Sequence, residues 1–311
     1  MVSKANIIGA GPAGLACGIV LQQNGIKCTV YEKEKELGHK VCGEGLTWAG
    51  VCCLETLGIH EEMIQAAGAR QIVKSRHIFP YEEYDMDHFE ERYYTISRQN
   101  LLKVMARQFQ LHGGKIIVDQ YIRRPEQILR NGVICVNAAG CMTQPGKVLL
   151  SENLPMGIAA VIYGKSDLCE KIMYFVHRSE LSDRYAWCFP LGNNYWNIGV
   201  WQTENIQNLY TNYRLFYMEW IEKHFKDVLI LKKPQGACLG VFPSTRKEIK
   251  SRYFVCGDAA GTCDFYSGEG IPQAMLSGYC TAKKIMNTKE GEAYEEGKSN
   301  LIKIHKFSNY V

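Results

Sequence analysis

Six residues near the start of the chain, Gly9-Ala10-Gly11-Pro12-Ala13-Gly14, have the spacing of a phosphate-binding turn. Gly9 permits a tight turn, Gly11 lets the backbone approach a pyrophosphate, and Gly14 lets a helix pack closely against the preceding strand. The amides at the start of that helix would then face the anion. The first chemistry that the sequence predicts is therefore the binding of a dinucleotide.

The residues around this turn favour the same interpretation. Residues 6–8 form a short apolar strand before it, and residues 15–22 continue as a helix after it. Residues 27–31 form a second predicted strand, and Glu32 follows it, where a carboxylate can accept hydrogen bonds from an adenosine ribose. An ordinary strand, turn and helix could use the same glycines, but it would not require this carboxylate.

A second glycine-rich segment lies far along the chain, where Gly257-Asp258-Ala259-Ala260-Gly261 is followed by Gly268-Glu269-Gly270-Ile271. Asp258 follows a predicted buried strand, so its carboxylate could accept a hydrogen bond from a ribityl hydroxyl. A helix that begins at Gly270 would aim its first amides at the O2 region of a flavin and stabilise negative charge there. The two glycine-rich segments together predict FAD.

The composition is that of an ordinary globular protein. The chain has 311 residues, of which 46% are hydrophobic and 22% charged, and its net charge is +4. It contains no long block of lysine or arginine, so no nucleic-acid partner is expected. Thirteen scattered cysteines without Cys-x-x-Cys spacing predict reduced thiols and no metal site. The absence of a signal peptide or a long apolar run predicts a cytoplasmic protein with at most peripheral membrane contact.

The order of predicted elements indicates an α/β protein with a Rossmann-like FAD-binding domain and an inserted antiparallel β-sheet substrate domain. The predicted FAD-binding domain comprises residues 1–70, 95–150 and 246–311, and the substrate domain comprises residues 71–94 and 151–245. Thr47 and Ser97 have the character of helix N-caps. Two amphipathic helices are predicted from apolar residues at helical spacing. The apolar face of the first carries Leu101, Leu102, Met105 and Phe109, and that of the second carries Leu209, Tyr213, Phe216, Trp220 and Ile221. A short surface helix is expected beyond Asn287.

Three segments carry a resemblance to a known family. They are Lys40-Val41-Cys42-Gly43-Glu44-Gly45, then Tyr185-Ala186-Trp187-Cys188-Phe189-Pro190 with Asn197-Ile198-Gly199, and finally the run from Gly257 to Gly270. The chain resembles the geranylgeranyl reductase family of FAD-dependent oxidoreductases, which has the fold of para-hydroxybenzoate hydroxylase. The resemblance covers most of the chain, and the middle segment narrows it from the wider class to the family.

The resemblance implies a set of residues that contact FAD, with Cys42, Gly43 and Gly45 beside the isoalloxazine. Combined with the two glycine-rich segments, it gives a predicted cofactor-binding set of Gly9, Gly11, Pro12, Ala13, Gly14, Glu32, Lys33, Cys42, Gly43, Gly45, Arg98, Asp258, Gly268, Gly270 and Ile271. Arg98 begins a predicted helix and could pair with the pyrophosphate. Ala139 stands where the wider hydroxylase class has an aspartate linked to the pyrophosphate and to a nicotinamide cofactor.

Two groups of residues are candidates for the reaction itself. Cys42 is the predicted catalytic residue, a thiol that positions substrate or delivers a proton, although a small residue in a tight loop explains the cysteine slightly better. Tyr185, Trp187 and Phe189 alternate along a strand, so their side chains share one face. They could wall an apolar substrate cavity or form a stripe that faces the core.

The predicted activity is reduction or desaturation of a carbon-carbon double bond in an isoprenoid or other apolar substrate, by hydride transfer through flavin N5. NAD(P)H or another reductant would supply the electrons, with a reductase or ferredoxin as a possible partner and a small molecule or lipid as substrate. The alternative is a flavin-dependent monooxygenase, either a hydroxylase or, ranked below it, a halogenase. Glu44 and Lys74 are similar to a halogenase arrangement, but Lys74 is expected to be a surface lysine. A flavoprotein that only carries electrons is the third hypothesis.

Overall fold

The computed structural model describes residues 2–88, 92–124, 127–128, 132–141, 156–177, 185–202, 235–240, 252–264 and 267–286. The strands are β1 (Lys4–Ile8), β2 (Lys27–Tyr31), β3 (Gly45–Leu46), β4 (Arg70–Ile72), β5 (Lys74–Ile78), β6 (Glu83–Asp87), β7 (Tyr93–Thr95), β8 (Lys115–Ile117), β9 (Ile134–Asn137), β10 (Met156–Lys165), β11 (Ile172–His177), β12 (Tyr185–Gly192), β13 (Tyr195–Gln202), β14 (Gln235–Gly240) and β15 (Tyr253–Val255). The helices are α1 (Pro12–Gln23), α2 (Trp48–Thr56), α3 (Glu61–Ala66), α4 (Arg98–Leu111) and α5 (Ile271–Ile285), with a 3-10 turn at Gly257–Ala260.

A five-stranded parallel sheet forms the first layer, in the order β15-β9-β1-β2-β8. Strand β9 is buried along its whole length, as expected for a parallel strand covered on both faces. Helix α1 is apolar nearly all round and packs against α4 and α5. A side chain at Gly278 would come within 2.1 Å of the Ala13 carbonyl oxygen, so a glycine there lets α5 lie directly on α1.

A seven-stranded sheet forms the second layer, in the order β14-β10-β13-β12-β11-β5-β6. The α/β class, with a Rossmann-like sheet and a second, largely antiparallel one, is confirmed. One strand pair departs from the expected antiparallel arrangement, because β11 pairs with β5 in parallel. These two strands belong to separate passages of the chain through the sheet, so no hairpin requires them to run in opposite directions.

A third, three-stranded sheet in the order β3-β7-β4 contacts the seven-stranded sheet through β7 and β12. Strand β3 pairs with β7 through Gly45 and Leu46. The Thr95 hydroxyl at the end of β7 donates a hydrogen bond to the Pro190 carbonyl of β12. This small sheet therefore fixes the segment around Gly45 against the seven-stranded sheet.

Both predicted N-caps are confirmed. The Thr47 hydroxyl accepts a hydrogen bond from the Gly50 amide at 3.4 Å, and the Ser97 hydroxyl accepts one from the Asn100 amide at 3.2 Å. The predicted apolar face of α4, which carries Leu101, Leu102, Met105 and Phe109, is buried.

Several other sequence predictions are not decided by this architecture. The predicted helix that carries Leu209 to Ile221 and the segment beyond Asn287 lie outside the described residues, and the proposed domain boundaries stay a prediction. Each helix in the described ranges is too short or too polar to cross a membrane.

Candidate active site

The turn between β1 and α1 uses two of its glycines for packing. Gly9 has a φ of +101°, and a Cβ there would lie 2.5 Å from the Ala138 carbonyl oxygen. A Cβ at Gly14 would lie 2.0 Å from the Gly9 carbonyl oxygen. Since backbone atoms cannot move aside as the end of a flexible side chain can, both positions require glycine for the turn to close.

Gly11 differs from these two glycines because a Cβ there would meet no atom within 4 Å. It is the N-cap of α1, and no side chain caps the first amides of that helix. Open space therefore adjoins a helix N-terminus that carries a partial positive charge. The turn fits the pyrophosphate of a dinucleotide such as FAD.

Glu32 lies beside this turn, at the end of β2. Its Oε2 accepts a hydrogen bond from the Ala10 amide at 2.8 Å, and its Oε1 accepts one from the Glu34 amide at 3.1 Å. The carboxylate thus braces the turn from the position predicted for ribose binding. The neighbouring Lys33 forms an ion pair with Glu34 at 3.2 Å, and the two side chains are partly exposed to solvent.

The segment Lys40–Gly45, called here the flavin loop, packs against the aromatic side chains of β12. A Cβ at Gly43 would lie 3.3 Å from the indole of Trp187, and one at Gly45 would lie 3.2 Å from the ring of Phe189. Two predicted groups of residues, the loop and the aromatic strand, are therefore in contact. The two glycines keep the loop backbone close to the rings.

Tyr185, Trp187 and Phe189 form one row on the face of β12 that meets the flavin loop. The ring centroids are 6.2 Å apart from Tyr185 to Trp187 and 6.1 Å apart from Trp187 to Phe189. The Tyr185 hydroxyl donates a hydrogen bond to the Ser267 carbonyl at 2.6 Å, and Trp201 packs in the same apolar cluster. Burial raises the pKa of Tyr185, so its hydroxyl remains a hydrogen-bond donor. The row is at once part of the core and adjacent to the flavin loop.

The second glycine-rich segment joins the same site. Asp258 lies in the 3-10 turn and forms an ion pair with the Lys40 ammonium group of the flavin loop. Burial lowers the pKa of Lys40, but its attraction to Asp258 and the hydrogen bond between them leave that pKa raised. Gly270 is the N-cap of α5, whose first amides also have no side-chain cap, and Ile271 begins that helix.

Arg98, the first residue of α4, carries an incompletely satisfied guanidinium group. Its Nη1 donates a hydrogen bond to Cys42 Sγ at 3.9 Å, and its backbone amide donates one to Glu44 Oε1 at 3.1 Å. Its Nε is buried and has no partner among the described residues. An unpaired buried donor is costly, and an anionic oxygen would satisfy it. This orphaned group also fits a phosphate-bearing cofactor.

Three participants in this site were not predicted from the sequence, because Lys40 and Asn197 entered only as members of a motif and Glu44 only in comparison with a halogenase arrangement. Asn197 donates hydrogen bonds to Cys42 and Glu44 of the flavin loop. A signal for Asn197 was present, since it is a polar residue within the otherwise apolar segment Tyr195–Val200. Nothing in the sequence around Glu44 indicated that its carboxylate would be buried.

Lys74 lies outside this site. It is on β5, next to the edge strand of the seven-stranded sheet, where its ammonium group pairs with Asp85 at 3.0 Å. Its side chain is about 30% exposed. The structure therefore places it in a surface ion pair across two strands.

Comparison with known proteins supports the cofactor and the class of enzyme. The family model of the FAD binding domain matches residues 3–123. Digeranylgeranylglycerophospholipid reductase 1 of Methanosphaera stadtmanae is 25% identical over 93% of this chain and 76% of its own length. Digeranylgeranylglycerophospholipid reductase of Methanosarcina mazei is 23% identical over 96% of this chain and 77% of its own. These matches confirm that the chain is an FAD-dependent oxidoreductase and that it resembles the geranylgeranyl reductases.

Solved structures share the fold at low identity. A geranylgeranyl bacteriochlorophyll reductase-like protein from Thermoplasma acidophilum superposes with a TM-score of 0.71 at 22% identity, covering 94% of this chain and 79% of its own. A flavin-dependent brominase superposes with a TM-score of 0.72 at 18% identity, covering 95% of this chain and 83% of its own. The scaffold alone therefore does not separate reduction from oxygen-dependent chemistry.

Proposed function

We propose that this chain, an FAD-dependent oxidoreductase related to the geranylgeranyl reductases, reduces carbon-carbon double bonds in the isoprenoid chain of a lipid. One observation carries the proposal, which is the direct packing of the aromatic row on the flavin loop at Gly43 and Gly45. An apolar chain bound along that row would lie next to the flavin. Aromatic walls with few polar groups suit such a ligand.

The proposed cofactor contacts follow from the geometry of the turn and the helix termini. The Gly9–Gly14 turn and the start of α1 would hold the pyrophosphate, with Glu32 beside the ribose and Arg98 supplying its unpaired donor. Asp258 and the start of α5 would hold the ribityl and flavin ends. The bound and reduced cofactor supplies a hydride.

The residues of the chain have the tasks of orienting the substrate, excluding water and supplying a proton. Each reduced double bond gains one hydride and one proton, so the site needs a proton source next to the aromatic row. Cys42 can hold that proton at Sγ, whose position is fixed by hydrogen bonds from the Glu44 amide at 3.3 Å and from Arg98. Its thiol is the proposed proton donor or substrate-positioning group.

The electrons come from NAD(P)H or from a protein donor such as a reductase or ferredoxin. Ala139 lacks the carboxylate that the wider hydroxylase class has at this position, which favours a protein donor over direct binding of a nicotinamide cofactor. With a membrane lipid as substrate the protein would work at a membrane surface, and we place it on the cytoplasmic side.

Oxygen-dependent chemistry is the second candidate, because the brominase shares the fold at a TM-score of 0.72. A halogenase of the kind considered from the sequence would need Lys74 near the flavin. Lys74 is paired with Asp85 near the β6 edge of the seven-stranded sheet, outside the candidate site, which favours the reductase.

Product analysis tests the proposal. The holoenzyme is reduced with dithionite under nitrogen and mixed with vesicles that contain a geranylgeranyl ether phospholipid, and the extracted lipid is analysed by mass spectrometry. The expected product has gained hydrogen across its double bonds and carries two deuterons per reduced bond when the buffer is deuterated, because after reduction by dithionite both added hydrogens originate from solvent. Oxidised holoenzyme is the control. Unchanged lipid from a fully reduced enzyme, with an oxygenated product in air, would favour the monooxygenase.

A further inference from the structure

One buried amide connects the aromatic row to the flavin loop. Asn197, near the middle of β13, has 0% of its surface exposed. Its Oδ1 accepts a hydrogen bond from Trp187 Nε1 at 2.7 Å. Its Nδ2 donates to the Cys42 carbonyl at 2.8 Å and to Glu44 Oε2 at 3.0 Å. A single side chain thus holds the row and the loop together.

Glu44 makes the loop dependent on this amide. The residue is only 6% exposed, and its backbone φ of +64° lies in the left-handed region that favours glycine. Burial of a carboxylate and a left-handed conformation both cost free energy unless surrounding contacts compensate. Asn197 and the Arg98 amide provide those contacts, one to each carboxylate oxygen.

The loop conformation also determines the surroundings of the Cys42 thiol. The Glu44 amide that donates to Cys42 Sγ belongs to the same left-handed residue, and the Glu44 carbonyl accepts a hydrogen bond from the Ile96 amide at 3.0 Å. If Glu44 relaxes to an ordinary conformation, both contacts are lost. The position of the thiol therefore depends on the carboxylate that Asn197 holds.

We propose that Asn197 is a positioning residue that fixes the flavin loop against the aromatic row and thereby sets the distance between substrate and flavin. The nature of the substrate rests on the proposed function, whereas the fixing of the loop does not. A residue that served folding alone would affect stability without affecting the loop. A substitution that alters the loop would therefore indicate a positioning role, whereas one that lowers stability alone would indicate a role in folding.

Substitution of the amide separates these roles. N197D keeps an acceptor for Trp187 Nε1, but it removes both donors and places a second carboxylate beside Glu44. N197L removes all three hydrogen bonds. Gln108 provides a matched control, since it is another buried amide and donates to the carbonyls of Leu57 and Gly58 at 3.3 and 3.2 Å, away from the loop.

The first readout is the rate of alkylation of Cys42 by iodoacetamide in the lipid-free holoenzyme, resolved by peptide mass spectrometry. Cys169, which is exposed, is the internal reference. We expect N197D and N197L to raise the rate for Cys42 relative to Cys169 by roughly tenfold, because the loop becomes mobile. The absorption spectrum and visible circular dichroism of the bound flavin should change with it. Q108L should lower stability and leave the alkylation rate and the flavin spectrum unchanged.

The second readout is the kinetics of lipid reduction. Displacement of a reacting group by about 1 Å costs roughly 100-fold in rate, so kcat should fall by that order while KM changes by less. If the wild-type enzyme reduces no lipid, the proposed function fails, and the alkylation rate and flavin spectrum still test the role of Asn197.

E44A serves as the variant that decides the question if the Asn197 variants do not fold. Alanine lacks the carboxylate that Asn197 holds and, unlike glycine, still carries the cost of the left-handed conformation, so residue 44 should relax. It should raise Cys42 alkylation to the same extent as N197L. Folded variants that alkylate Cys42 within twofold of the wild-type rate and keep its flavin spectrum would overturn the proposal.

Discussion

At the level of single residues, the three glycines of the first turn have two different tasks. Gly9 and Gly14 are required by the protein itself, because a Cβ on either would collide with a backbone carbonyl. Gly11 faces open space, so the protein alone does not require glycine there. The difference separates a requirement of the fold from a requirement of the ligand.

The pair G11A and G14A tests this separation. G11A should lower the free energy of unfolding by no more than about 1 kcal/mol, because alanine at an N-cap is only modestly unfavourable. It should weaken FAD binding at least about tenfold, since the methyl group occupies space needed for close approach of a pyrophosphate. G14A should lower the free energy of unfolding by about 3 kcal/mol or more through overpacking. Urea unfolding and fluorescence titration with FAD measure the two quantities.

Unaltered FAD affinity in a folded G11A protein would contradict the location of the pyrophosphate. Wild-type stability of G14A would contradict the close packing of α1 on the turn.

At the level of elements, β5, β11 and the residue after β6 contribute a chain of polar side chains, mostly imidazoles, that the predicted chemistry does not use. His177 Nε2 lies 3.0 Å from His77 Nδ1, whose other ring nitrogen lies 3.3 Å from the Ser75 hydroxyl. That hydroxyl lies 3.1 Å from His88 Nε2. The His77 ring is 3% exposed and stacks on Phe175. The parallel strands β5 and β11 thus share a buried group of hydrogen-bonded polar side chains, called here the polar seam.

This seam predicts that stability depends on pH. Burial, followed by the neighbouring His177 and His88, lowers the pKa of His77 to about 4. In the unfolded chain the same group titrates near pH 6.5, so the unfolded state binds the extra proton first as pH falls. The stabilising effect of a neutral His77 is complete above about pH 6.5 and is lost progressively down to about pH 4.

H77F is the variant that measures this effect, because phenylalanine keeps the stacking and cannot titrate. Between pH 7 and pH 5 the wild-type protein should lose about 2 kcal/mol more free energy of unfolding than H77F. Urea denaturation at both pH values gives the comparison. Equal losses in the two proteins would show that His77 is charged or exposed in the native state.

At the level of the whole molecule, the site lies where the two large sheets meet, and this explains which features the sequence predicted. The turn at Gly9–Gly14, the caps at Thr47 and Ser97 and the alternation along β12 are local, so neighbouring residues reveal them. The contact of Asn197 with Glu44 joins residues separated by 153 positions, and that of Lys40 with Asp258 joins residues separated by 218.

Such long-range contacts depend on how the layers assemble. No periodicity in the segments themselves encodes that Asn197 faces the flavin loop or that β5 runs parallel to β11. The sequence could therefore predict the cofactor and the scaffold, while the polar groups that bind the layers together required the three-dimensional structure.

We propose that the reduced flavin of this protein passes its electrons to a lipid double bond rather than to oxygen. Stopped-flow absorption measures it directly, with the photoreduced holoenzyme mixed separately with an anaerobic geranylgeranyl lipid and with air-saturated buffer. We predict that the lipid restores the oxidised flavin spectrum within the time of turnover and that oxygen restores it slowly and in one phase. A reduced flavin that does not respond to the lipid, and that reacts rapidly with oxygen through a transient absorption band, would instead assign the protein to the monooxygenases.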